Sequence, residues 1–168
     1  AALFKVLPDA HAASDLFALL CAKGADLLVS DSRTVVSRLP GWYGEGRIEP
    51  RVGGAVSLMG GHIRGVVTQW QPPGRLAYTW NVYNPGDATS PYPESYVILT
   101  LAPAADGTVF TLEHLPVLES FVKLNAMGWH TFIDMVDAAV RGEPVQGRDH
   151  YMAENARQYG VDLSNPRG

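Results

Sequence analysis

Apolar and polar residues alternate along most of the middle of this chain, and helical spacing takes over towards both ends. Alternation marks strands at Ala2–Leu7, Gly46–Glu49, Ala55–Met59, Ile63–Gln71, Arg75–Val82, Tyr96–Leu101 and Thr108–Leu115. The separators from Gly46 onward are turn sequences: Arg51-Val52-Gly53-Gly54, Gly60-Gly61, Pro72-Pro73-Gly74 and Ala105-Asp106-Gly107. Connections that short predict an antiparallel meander. The one long connection, Tyr83 to Ser95, holds Pro85, Gly86, Pro91 and Pro93, and loops of that length in compact domains are more often functional than idle. Helical period returns after Pro116. Phe121, Leu124, Gly128, Phe132, Met135, Val136 and Ala139 form an apolar stripe over Glu119–Val140, stopped by Gly142 and Pro144. Two shorter helices are predicted after the first strand. Asp9 caps one over Ala10–Cys21, and Ser32 caps the other through Leu39, ended by Pro40-Gly41.

This order predicts an α+β fold, a curved antiparallel sheet of about six to seven strands wrapped around a long C-terminal helix. A curved sheet cannot bury both of its faces alone, and an amphipathic helix across the concave face resolves that. Residues 1–144 read as the domain. Residues 145–168 read as a polar surface tail, partly helical near Asp149–Tyr159, that lies on the surface or frays.

Strand alternation also assigns faces. Leu76, Tyr78, Trp80 and Val82 share one side, as do Val97, Leu99 and Leu101, and Phe110, Leu112 and His114. These sets should face the long helix, where Trp129 and Phe132 would meet them. Pattern alone leaves two outcomes open, a filled core or a ligand cavity with aromatic walls. Gly128 would allow close approach of helix to sheet, with Trp129 wedged beside it to set their spacing.

Composition narrows the function classes. Charged residues make up 18% of the chain, below the usual ~25%, so apolar material remains for a cavity or an interface. A homodimer is one way to cover it. The net charge of −4 argues against a nucleic-acid partner, which would need clustered basic residues. No apolar run approaches the ~20 residues of a membrane span, no signal peptide is visible at the first residues, and Cys21 has no second cysteine to pair with. These features together predict a cytoplasmic protein with no membrane partner.

Candidate chemistry is sparse. No phosphate loop and no zinc-binding spacing is present, and no cofactor or metal is expected. His130 and Asp134 stand four apart on one helix, but a third ligand is not evident. His114, on the inward face, either orients a ligand, acts as acid or base, or is a core histidine with satisfied nitrogens. Tyr78 and Trp80 carry polar tips that either reach a ligand or are satisfied within the core.

Several short segments resemble one family. Arg47-Ile48-Glu49-Pro50-Arg51-Val52-Gly53-Gly54 is similar to its "dpRxGG" turn. Gly65-Val66-Val67 with Pro72-Pro73-Gly74-Arg75-Leu76-Ala77-Tyr78-Thr79-Trp80 resembles its "G-x-V…pP-x-x-L-x-y-tW" segment. Gly107-Thr108-Val109-Phe110-Thr111-Leu112-Glu113-His114 resembles "gTxltLxH", and Gly128-Trp129 its helical "GW". The family is the Aha-type homologues of the activator of heat-shock-protein-90 ATPase, bacterial members included, within the START-like superfamily of the birch-pollen allergen. The match spans Trp42 to Gly142 and departs from the family at the front, where Lys23–Ser32 is extra. The resemblance implies a helix-grip fold with a cavity between sheet and long helix. Relatives in the superfamily carry lipids or hormones, cyclise polyketides or protect against toxic natural products, and the eukaryotic namesake is a co-chaperone. The reading that follows is a module binding a small hydrophobic or aromatic molecule. Its ligand wall would be Trp42, Leu58, Tyr78, Trp80, Leu99, Phe110, Leu112, His114, Phe121, Leu124, Gly128 and Phe132. The alternatives are a cyclase- or hydrolase-type enzyme using His114 and a chaperone-interacting module.

Overall fold

A computed structural model describes residues 2–8, 46–105 and 107–165. Among these residues seven strands form one antiparallel sheet: β1 (Ala2–Pro8), β2 (Arg47–Ile48), β3 (Ala55–Leu58), β4 (Ile63–Gln71), β5 (Arg75–Val82), β6 (Ser95–Ala104) and β7 (Gly107–Leu115). Their spatial order is β1-β7-β6-β5-β4-β3-β2. Each strand from β2 onward therefore pairs with its sequence neighbour, and β1 closes the far edge against β7. A 3-10 turn over Glu119–Phe121 leads into helix α1 (Val122–Val140), and α2 (Arg148–Tyr159) follows. The two short helices predicted over residues 10–21 and 32–39, with Cys21 and Trp42, lie outside the described residues.

The inward faces sort as the pattern requires, while in β5 the opposite face is buried as well at Ala77 and Thr79. Leu76, Tyr78, Val97, Leu99, Phe110 and Leu112 are buried in one cluster with Trp129, Phe132, Ile133, Met135 and Val136 of α1. Burial of each such large side chain is worth roughly 1.5–3 kcal/mol, so the joint between α1 and the sheet outweighs any single polar contact. Two local features bend and tighten the sheet. A β-bulge between Val67 and Gln69 shifts the register of β4 against β5, and bulged strands bend. At Gly65 a Cβ would collide with the Thr79 carbonyl, so only glycine admits this approach of β4 to β5. There Thr79 Oγ1 accepts a 2.9 Å hydrogen bond from the Val66 N–H.

Strand ends differ from the alternation pattern in ways that packing explains. β2 is reduced to two residues. β6 runs beyond its predicted end through Pro103, which alternation alone would exclude. Past Thr100 it pairs only with β7, so Pro103 can sit in the strand on a side that carries no second ladder.

The segment after Gly142 is more ordered than its polar composition suggests. α2 docks against α1 through a seam of polar contacts. Asn155, only 4% exposed, donates to Thr131 Oγ1 at 3.3 Å and to Asp134 Oδ2 at 3.0 Å. The Tyr159 hydroxyl meets His130 Nδ1 at 3.2 Å, and His130 Nε2 lies 3.5 Å from Asp134 Oδ1. The His130–Asp134 spacing therefore serves helix docking. Burial and the nearby Asp134 carboxylate push the Tyr159 phenol above its usual range. Asn155→Ala should cost about 1–3 kcal/mol, the penalty for stranding buried polar partners. Hydrogen exchange over residues 148–159 should accelerate before that of the sheet; unchanged exchange there would show that the seam does not hold α2.

Candidate functional site

The inward ends of four strands come together at one end of the sheet. Ile63 begins β4 and pairs with Val82, which ends β5. Trp80 pairs with Ser95 at the start of β6, and Val97 with His114 near the end of β7. Opposite this corner passes the first half of α1. Between them lies a cavity of about 380 Å³, within the size range of small-molecule sites. Its walls among the described residues are mostly apolar: Trp80 and Val82 from the sheet, Leu124, Trp129 and Phe132 from α1, and Met152 from α2. The connection between β5 and β6 contributes Tyr92 and Pro93 to the rim. Tyr92 stands edge-on to Phe121, with ring centroids 5.3 Å apart.

At the back of the cavity a hydrogen-bond chain joins helix to sheet. The Trp129 indole N–H donates to His114 Nδ1 at 3.0 Å. His114 Nε2 lies 2.9 Å from Ser95 Oγ, and Ser95 Oγ donates to the Trp80 carbonyl at 3.3 Å. An indole N–H can only donate and a carbonyl can only accept, so the direction of the chain is fixed. Nδ1 accepts, Nε2 carries the proton and donates to Ser95, and the Ser95 hydroxyl donates to the Trp80 carbonyl. His114 is thereby held as the neutral Nε2–H tautomer. Burial lowers its pKa from 6.5 to about 4, with the Asn125 side chain acting in the opposite direction. Protonating Nδ1 would also set two N–H donors against each other. The rings pack around the chain in tilted contacts, Trp80 5.3 Å from His114 and 5.2 Å from Trp129.

Six residues of the sequence-derived ligand wall line this cavity: Trp80, His114, Phe121, Leu124, Gly128 and Phe132. Leu58, Tyr78, Leu99, Phe110 and Leu112 are in the packed core instead. Alternation fixes which face a residue occupies, but not whether that residue is packed among other core side chains or borders the cavity. Trp42 is outside the described residues. Gly128 plays a different part from the one its neighbour suggested. Among the described residues a Cβ built there meets nothing within 4 Å, so its missing side chain adds to the cavity that it lines. The residues the sequence reading did not single out come mainly from loops and from α2: Met59, His62, Tyr92, Pro116, Leu118, Arg148 and Met152. Ser95 was within reach, since it continues the inward set Val97, Leu99, Leu101 by one step.

Sheet, gripping helix and cavity together define a helix-grip domain of the START-like type. The chain belongs to the family described as Activator of Hsp90 ATPase homolog 1-like protein, which matches residues 34–141. Among curated proteins, none matches this sequence. Solved structures share the fold at low identity. CalU16 from Micromonospora echinospora superposes with a TM-score of 0.62 at 21% identity, over 95% of this chain and 83% of that one. DynU16, a protein of the dynemicin biosynthetic locus, gives 0.64 at 18%, over 88% of this chain and 49% of its own. An HSP90 activator from Plasmodium falciparum gives 0.55 at 18%, over 85% and 97%. Among the described residues no helix is long and apolar enough to cross a membrane.

The neutral histidine makes the helix–sheet joint pH-dependent. Its folded pKa of about 4 lies below the ordinary 6.5, so its contribution is complete above pH 6.5. That contribution is lost as pH falls from 6.5 towards 4, and over the whole shift it is on the order of 3 kcal/mol. Urea midpoints measured between pH 7.5 and 4 should fall accordingly. Trp129→Phe keeps an aromatic ring and the burial that chiefly lowers the pKa, so the slope should persist while overall stability falls by about 1–3 kcal/mol for the stranded Nδ1 acceptor; a slope abolished by this change would show that the indole N–H, not burial, sets the shift.

Proposed function

We propose that this protein binds a small hydrophobic or aromatic molecule in the cavity between its sheet and α1. The observation that carries the reading is the void itself, about 380 Å³ with Trp80, Trp129, Phe121 and Phe132 on its walls. Interiors are ordinarily close-packed, and an unfilled apolar space forfeits dispersion contacts. Gly128 adds to this, because a Cβ there meets no described residue within 4 Å. The state of His114 favours holding a ligand over acid–base chemistry on it. Both ring nitrogens are engaged in protein hydrogen bonds, so a proton transfer to a ligand would have to break the chain that joins helix and sheet. The similarity to DynU16, a protein in the dynemicin biosynthetic locus, accords with a partner drawn from small-molecule metabolism. A homodimer fits the same reading. Tyr96 and Leu115, directly opposed in register, are 41% and 48% exposed on the outer face.

The test uses a neutral dye, N-phenyl-1-naphthylamine, whose fluorescence rises in apolar surroundings. Wild-type protein should bind it with micromolar affinity. Gly128→Leu should fold at least as stably, since leucine is the better helix former, and should weaken dye binding by about tenfold or more. A folded Gly128→Leu protein that binds the dye as well as wild type would place the dye elsewhere and remove the cavity reading.

A further inference from the structure

The geometry points to a ligand that carries one carboxylate on its apolar, ring-bearing body, held by Arg148 at the cavity wall. This rests on the cavity reading above and adds the chemical class of the occupant. Arg148, the first residue of α2, is half-buried and lines the cavity. Among the described residues its guanidinium has no ion-pair or hydrogen-bond partner. The other cavity-lining cations-in-waiting are the two histidines. His114 has both nitrogens occupied, and His62 donates from Nδ1 to the Tyr83 carbonyl at 2.6 Å. No aspartate or glutamate belongs to the described wall. Asp149, the acidic neighbour in the first turn of α2, makes no ion pair with Arg148 among the described contacts.

A guanidinium stays charged at every accessible pH, and its planar fork matches a carboxylate bidentately. Beside an apolar void that charge is worth more than in water, and it favours an anion and opposes a cation. The helix end works in the same direction. α2 is 12 residues long, and its N-cap, Gly147, supplies no side-chain acceptor. Its first N–H groups therefore add partial positive charge close to Arg148. The rings of Trp80, Trp129, Phe121 and Tyr92, which line the same cavity, fit a planar apolar body. Arg148 and Met152 belong to α2, so the segment beyond the family match at residue 141 would supply the polar end of the site.

Three probes of one shape test this: 2-naphthoate, its neutral amide 2-naphthamide, and 2-naphthylmethylamine, titrated by quenching of tryptophan fluorescence at pH 7.5. Wild type should prefer the carboxylate over the amide by about tenfold, the effect expected of one charge-assisted contact. Arg148→Met should bring the two within about twofold, Arg148→Lys should retain a preference, and Arg148→Glu should turn it towards the amine. Circular dichroism of each variant confirms that α2 stays folded. If the amide binds but wild type shows no carboxylate preference, or Arg148→Met keeps it, the arginine is not an anion site and the cavity reading stands alone. If none of the probes binds, the cavity reading falls and this inference with it.

Discussion

The contact from the Trp129 indole to His114, continued through Ser95 to the Trp80 carbonyl, ties α1 to β7, β6 and β5 in a single buried chain. Hydrophobic burial supplies most of the attraction between helix and sheet, but it is non-directional and would tolerate a shift of the helix along its axis. A chain of donors and acceptors does not. Each member has one admissible proton position, so a helix displaced by a few ångströms would strand buried polar atoms at a cost comparable to a core mutation. The chain thus fixes where α1 crosses the sheet, and from that follow the place and shape of the cavity.

Holding the helix by a polar chain in this corner has a second consequence. The two tryptophans that flank His114 cannot rotate freely, because one donates through its ring and the other lies against both partners, 5.2 Å from Trp129. They form a rigid inner wall. The outer wall is built differently, from the connection carrying Tyr92, the Glu119–Phe121 turn and the first turn of α2. A site with a fixed aromatic back and a front made of loops and a short helix separates the part that recognises shape from the part that sets polarity. In this chain the single cation of the described wall is on the front.

α2 shows how polar composition can mislead. The stretch from Arg148 to Tyr159 has little apolar surface and reads as a solvated helix, yet it buries Asn155 and Ala156. Docking relies on matched hydrogen-bond partners on α1, and such partners are invisible to a hydropathy pattern because each residue looks surface-like by itself.

Period and punctuation in the sequence were enough to determine the strands, the antiparallel order, the long helix and the inward sides of β5, β6 and β7, because these depend on spacing along the chain. The turn and "GW" segments were enough to identify the family. The sequence also placed Trp80, His114, Phe121, Leu124, Gly128 and Phe132 towards the helix, and these came together on the cavity. It could not separate them from Leu58, Tyr78, Leu99, Phe110 and Leu112, which carry the same alternation. Only the tertiary structure decided which of these inward residues are packed among other core side chains and which border the cavity. It alone also brought Ser95, Trp129 and His114 into one chain and Arg148 to the cavity, since these residues are remote in sequence and meet only when helix, sheet and loop are packed.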